Sequence, residues 1–99
     1  MKTVDQIVKL IRETSSSLPS DGEKVLRTQL AKEKKAKNAA AVLNLSTILD
    51  NVKLARKQGT PLCQDTGTLT FFVDERLRRK VTPTVLKRAV AIATEKGYL

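Results

Sequence analysis

The chain has 99 residues and a formal net charge of +9, with 19 lysines and arginines against 10 acidic residues. It contains one cysteine and neither histidine nor tryptophan. Because a Ser-His-Asp triad and an imidazole metal site need histidine, and a disulfide or a zinc finger needs several cysteines, the chain by itself can form none of these. A hydrophobic content of 40% is sufficient for one folded domain.

Targeting signals are missing from the sequence as it stands. No apolar run approaches the roughly 20 residues of a membrane span, and the N-terminal residues lack the apolar core of a signal peptide. An unpaired thiol fits a reducing compartment better than a secreted protein. We therefore expect a cytoplasmic protein that does not enter a membrane.

The first 35 residues are predicted to form two helices. Apolar residues at helical spacing predict an amphipathic helix over residues 4–16, with Thr3 as its N-cap. A second helix is expected to begin after Ser20 or Asp21, because Ser20 has the spacing of a capping box with Glu23. The residues of this helix that are predicted to face a core are Val25, Leu26 and Leu30.

The third helix is the strongest of the predicted elements. Asn38 is a suitable N-cap, and the helix is predicted to run to about Gln58. Gly59 follows as a C′ residue, and Pro61 prevents the helix from restarting. Its apolar stripe consists of Val42, Leu45, Leu49 and Val52, widened by Ala41, Ile48 and Ala55.

One strand and one further helix are predicted after residue 67. Residues 68–73 are rich in β-branched and aromatic side chains, which predicts the one clear strand. Because one strand cannot form a sheet alone, its partners are expected from outside the chain. Thr82 and Pro83 then have the N-cap and N1 arrangement of a last helix, which ends near Gly97. The predicted fold class is α+β and mostly helical.

The only cysteine lies in the string Pro61-Leu62-Cys63-Gln64-Asp65-Thr66-Gly67, directly after the third helix. Free cysteine is usually buried, so a thiol inside a polar turn indicates a metal ligand or a nucleophile. The same residues also fit a simple helix-to-strand turn, in which Asp65 accepts local backbone hydrogen bonds. An Asp-Thr-Gly turn is used by aspartic proteases, but those folds are nearly all β and their acid follows an apolar strand.

The full string and the apolar segment after it resemble the iron–sulfur hydro-lyases, namely class I fumarate hydratase and the α-subunit of L-tartrate dehydratase. The similarity extends to the end of the third helix, Ala55–Gly59, and to Lys87-Arg88-Ala89-Val90 of the last helix. The resemblance implies reversible hydration of fumarate to malate, or dehydration of tartrate. It also implies that residues 1–99 are the N-terminal part of a larger catalytic domain, incomplete and inactive alone.

The resemblance further implies a 4Fe–4S cluster that is held by three cysteines and has one open iron. Cys63 would be one of the three ligands. Gln64 would hydrogen-bond a substrate carboxylate, and Asp65 would line the substrate pocket and take part in proton transfer. The implied partners are a small dicarboxylate, the remainder of the α-subunit, and a β-type domain or subunit in an oligomer.

The positive charge is concentrated at residues 32–37, 53–57 and 76–80. These clusters would suit a dianionic substrate, or they are simply solvated helical surfaces. The alternative function is a small basic helical module that binds nucleic acid or another partner, with Cys63 incidental. Nucleic acid is the less favoured partner, because the clusters lack interleaved aromatic residues on which bases could stack.

Overall fold

The computed structural model describes residues 2–63 and 67–99, and all regular secondary structure in this part of the chain is helical. The elements are α1 (Lys2–Ser16), α2 (Ser20–Lys35), α3 (Ala39–Gln58), a short 3-10 helix (Glu75–Leu77) and α4 (Pro83–Glu95). The described residues contain no β-strand, so the predicted α+β class is wrong for them. None of the described helices has the length and apolar character that crossing a membrane requires.

The strand predicted for residues 68–73 is wrong. Residues 67–74 form neither a helix nor a strand. Aromatic and β-branched residues favour a strand only where a neighbouring strand completes its ladder of hydrogen bonds, and the described neighbours here are helices. Phe71 instead packs against the core between α1 and α4, whereas Phe72 is 96% exposed.

Three predicted helix ends are confirmed. Asn38 caps α3, because its Oδ1 accepts a hydrogen bond from the Ala41 N–H at 3.3 Å. Gly59 ends α3 in the left-handed conformation with φ of 69°. Thr82 caps α4, because its Oγ1 accepts from the Val85 N–H at 3.3 Å. Each of these signals depends on residues within one turn of the helix end.

Two predictions for α2 are wrong. Ser20 is already helical and Pro19 is the N-cap without a side-chain hydrogen bond, so the capping box does not form. Glu23 accepts hydrogen bonds from arginine side chains instead. No residue of α2 is buried, and Val25 is 67% exposed. The apolar face of α2 meets only α3 among the described helices, which is too little to bury it.

The core lies between α1 and α4. Ala89 and Ala93 of α4 are 0% exposed. Because alanine has only a methyl group, the two helices can approach closely at these positions, and the larger side chains of α1 fill the space around them. The α1 residues buried in this core are Val4, Ile7, Val8 and Ile11.

The four helices form an elongated arrangement. α3 contacts both α1 and α2, and α4 contacts α1. The principal extents are 55 × 27 × 22 Å, and the Cα radius of gyration is 17.2 Å, compared with about 13 Å for a compact domain of this length. The antiparallel pair of α2 and α3 therefore leaves apolar side chains exposed, including Val25, Leu43 and Leu54.

A small ion-pair cluster fastens α2 to the end of α3. Glu23 Oε2 accepts from Arg56 Nη2 at 2.8 Å, and Glu23 Oε1 accepts from Arg27 Nη2 at 3.0 Å. The hydrogen bond from Arg56, followed by that from Arg27, lowers the pKa of the Glu23 carboxyl below its ordinary value of 4.5. The ionised form of Glu23 is therefore the form that the folded state favours.

We expect Glu23→Gln to lower the thermal unfolding midpoint at pH 7 and to have much less effect in acid. Because the folded-state pKa is lowered, the stabilisation is present above 4.5 and is lost as pH falls through the lower folded-state value. The difference in midpoint between the variant and the wild type, measured by circular dichroism, should shrink as pH falls below the folded-state pKa of Glu23. Glu33→Gln is the control, because Glu33 lies on the same helix but accepts at 3.0 Å from the neutral amide of Gln29, whereas Glu23 accepts from arginines. A Glu23→Gln difference that stays constant with pH would contradict this role.

Candidate functional site

The backbone just before Cys63 is held by two helices. The Leu62 N–H donates to the Ser15 carbonyl oxygen, at the end of α1, at 2.8 Å. The Leu62 carbonyl oxygen accepts from Asn51 Nδ2, on α3, at 2.8 Å. Because each peptide unit is planar, these two bonds orient the units on both sides of Leu62. They thereby place the Cα atom of Cys63 relative to α1 and α3.

Ser15 also joins the residues that follow α4 to this site. Its Oγ lies 2.8 Å from the Ile11 carbonyl oxygen and 2.7 Å from the Tyr98 carbonyl oxygen, and its one proton can be donated to either. The Arg12 guanidinium lies 5.3 Å from the centroid of the Tyr98 ring, a cation–π distance. The ends of α1, α3 and α4 therefore meet beside the segment that carries Cys63.

Gly59 allows the chain to turn from α3 into this segment. Its φ of +69° is a conformation that residues with a side chain rarely adopt. A Cβ at this position would also lie 2.6 Å from Arg12 Nε. Gly59 is thus required by its backbone conformation, and a larger residue would in addition displace the Arg12 side chain.

Cys63 lies at an open depression of about 430 Å³ between these elements. The thiol is free and exposed. The described wall of the depression is mainly apolar, and its hydroxyl groups belong to Thr14, Ser15 and Thr94. No charged side chain is among the described lining residues. This wall offers one thiol and several hydroxyls, but it supplies no cation for a substrate carboxylate.

The structure describes one of the three predicted site residues, Cys63. Gln64 and Asp65 lie outside the described residues. The exposed thiol has the chemistry and accessibility of one cluster ligand. Within residues 2–63 and 67–99, no group of three or more histidine, cysteine, aspartate or glutamate side chains could hold a metal ion. Since Cys63 is the only cysteine in the sequence, a cluster with three thiolate ligands needs two from outside this chain.

Asn51 and Ser15 were not identified from the sequence as site residues. Asparagine is disfavoured inside helices because its side chain competes for backbone hydrogen bonds, and this is the signal by which Asn51, inside α3, could have been singled out. Ser15 belongs to a run of three serines that indicates only the end of a helix. The contact of Leu62 with Ser15 joins distant parts of the chain, whereas Asn51 lies eleven residues before Leu62, and no local pattern predicts either contact.

The basic cluster at residues 76–80 is partly neutralised within the protein. Asp74 accepts from Arg76 Nε at 3.0 Å and from Arg76 Nη2 at 2.8 Å. The Arg76 side chain, followed by its backbone N–H, lowers the pKa of the Asp74 carboxyl below its ordinary value. Arg78 pairs with Glu75 at 2.9 Å. Two of the four cations are therefore engaged by acidic neighbours, which weakens the case for a nucleic-acid surface here.

Comparison with known proteins identifies a family for the chain. It matches the family described as "Fumarate hydratase (Fumerase)" over residues 4–99. Over 105 aligned residues it is 36% identical to a putative fumarate hydratase class I from Geobacillus stearothermophilus, covering 99% of this chain and 19% of that protein. Over 75 residues it is 37% identical to a putative L(+)-tartrate dehydratase subunit alpha from Methanocaldococcus jannaschii, covering 74% of this chain and 25% of that protein. No solved structure matches the chain.

The family match includes most of α1 and all of the later elements, together with the string from Pro61 to Gly67. The chain spans a quarter or less of the length of these two curated relatives. The resemblance that the Cys63 string indicated is thereby confirmed. The chain belongs to the fumarate hydratase family.

Proposed function

We propose that the chain is the N-terminal part of a hydro-lyase catalytic domain that reversibly hydrates fumarate to malate. The observation that carries the proposal is the family match over residues 4–99, which includes the string around Cys63. A tartrate dehydratase subunit among the relatives makes dehydration of tartrate the next candidate. Both reactions exchange water with a small dicarboxylate.

In this proposal Cys63 is one of three thiolate ligands of a 4Fe–4S cluster. When bound, such a cluster supplies an open iron that acts as a Lewis acid towards the carboxylate and hydroxyl of the substrate. The accessible thiol at the rim of a depression supports the ligand role. The cluster and the thiol together favour a reducing compartment, and the cytoplasm is the proposed location.

Gln64 and Asp65 are the proposed substrate-facing residues. Hydration adds a hydroxyl to one carbon of the double bond and a proton to the other, and the reverse reaction removes both as water. Gln64 hydrogen-bonds a substrate carboxylate, and Asp65 lines the pocket and exchanges the proton. In the sequence both residues come after Cys63, and the peptide units on both sides of Leu62 are held by α1 and α3. The cations that bind the carboxylates come from the rest of the enzyme.

The complete enzyme in this proposal contains the remainder of an α-type subunit and a β-type domain or subunit, assembled as an oligomer. One relative is itself named as an alpha subunit. The accessible surface of the chain is 7810 Å², whereas a compact protein of this mass exposes about 5,600 Å². This excess, with the apolar side chains exposed on α2 and α3, supports extensive contact with the rest of the enzyme.

A hydration assay on the assembled enzyme tests the proposal. After anaerobic reconstitution with ferrous iron and sulfide, consumption of fumarate is followed by its ultraviolet absorbance, and tartrate is offered separately. We expect conversion by the assembled enzyme and none by the 99-residue chain alone. Conversion that persists after the iron is removed by chelation would contradict the role of the cluster. If a cluster-loaded enzyme converted neither substrate, the hydro-lyase proposal would be wrong.

A further inference from the structure

We propose that Asn51 is a positioning residue for Cys63. This inference rests on the proposed function, in which Cys63 ligates the cluster. Asn51 Nδ2 donates at 2.8 Å to the Leu62 carbonyl oxygen, which belongs to the peptide unit joining Leu62 to Cys63. Asn51 therefore acts on the cysteine through the orientation of this peptide unit, and not as a ligand.

The planarity of the peptide unit explains how the hydrogen bond from Asn51 to Leu62 orients Cys63. The Leu62 carbonyl, the Cys63 nitrogen and the Cys63 Cα atom lie in one plane, so orienting the carbonyl also orients the start of Cys63. The preceding peptide unit is held separately, because the Leu62 N–H donates to the Ser15 carbonyl oxygen at 2.8 Å. With both units held, the Leu62 dihedrals have little freedom. Losing the Asn51 bond would release the second unit while the first stays attached to α1.

The packing of α3 does not account for Asn51. The buried residues of this helix are Leu49, Val52 and Ala55, whereas Asn51 is exposed. Asparagine is also a poorer helix former than alanine. The contact that the structure gives its side chain is the one with Leu62, eleven residues further along the chain. The contact with Leu62 therefore distinguishes Asn51 from the other exposed residues of α3.

Groups that orient metal ligands typically change metal affinity by about 10- to 100-fold when they are mutated. Asn51→Asp keeps the side-chain shape but places an oxygen acceptor where the donor was, against the Leu62 carbonyl. Asn51→Ala removes the donor without adding charge. Asn44→Asp is the matched control, because Asn44 is also exposed on α3 and lies seven residues earlier, on nearly the same side of the helix.

The experiment uses the assembled enzyme, reconstituted anaerobically with ferrous iron and sulfide. Iron and sulfide per folded protein, the electron paramagnetic resonance spectrum of the cluster, and its rate of loss in air are compared among wild type and the three variants. We expect both Asn51 variants to lose the cluster about 10-fold faster or more and to alter the spectrum, while Asn44→Asp matches wild type. If the Asn51 variants also match wild type, this inference is overturned and the proposed function stands. If wild type holds no cluster, the proposed function fails, and this inference with it.

Discussion

Replacing Cys63 by serine should abolish cluster retention and fumarate hydration in the assembled enzyme. A three-thiolate site would lose one ligand, and a serine hydroxyl stays protonated at neutral pH and does not replace a thiolate on iron. Activity should fall by more than about 100-fold, the upper end of the effect expected for groups that merely orient a ligand. Iron content and the hydration rate, both measured per mole of folded enzyme, check this result.

The fold should survive the same substitution. Because Cys63 is exposed, exchanging sulfur for oxygen should change the unfolding free energy by less than about 0.5 kcal/mol. Thr60→Ser is the control, since Thr60 is exposed and lies in the same segment after α3. Full activity with an intact cluster in Cys63→Ser would refute the ligand role.

Replacing Ala93 by leucine should destabilise the chain by about 1–3 kcal/mol, because it overfills a closely packed contact. Ala93 is 0% exposed and belongs to the core that α4 shares with α1. Its carbonyl oxygen also accepts from the Tyr98 N–H at 2.9 Å. A displaced α4 would therefore carry Tyr98 away from Ser15 and disturb the support of the Cys63 segment.

Ala91→Leu is the matched control for this prediction. Ala91 is on the same helix but exposed, and leucine and alanine are both good helix formers, so the change should be within about 0.5 kcal/mol. The midpoints of urea unfolding, compared at equal slope, measure both variants. Equal losses for the two substitutions would contradict the close contact between α1 and α4.

The sequence predicted the helix ends best where a short-range interaction determines them. Asn38 and Thr82 each cap a helix through an N–H three residues away, and Gly59 ends α3 through its own backbone conformation. The failed capping box at Ser20 shows the limit of such signals. Glu23 has the required spacing, but Arg56 from α3 and Arg27 compete for its carboxylate.

Side-chain burial and the strand were predicted less well, since both depend on what lies next to a segment. Residues 68–73 have strand propensity, but no described strand pairs with them. The apolar face of α2 has the helical period, yet Val25 remains exposed because only α3 packs there. Periodicity indicates which residues share a face, and it does not say whether anything covers that face.

The family could be recognised from the sequence by itself, because seven consecutive residues of mixed chemistry around Cys63 form a specific signal. The hydrogen bonds that hold the segment before Cys63 could not be predicted from the sequence. Leu62 is bound by the end of α1 on one side and by Asn51 of α3 on the other. The bond from Leu62 to Ser15 forms only after α1 has packed beside this segment, and the bond from Asn51 forms only when the chain turns back along α3 after Gly59. The tertiary structure therefore decides where Cys63 is placed.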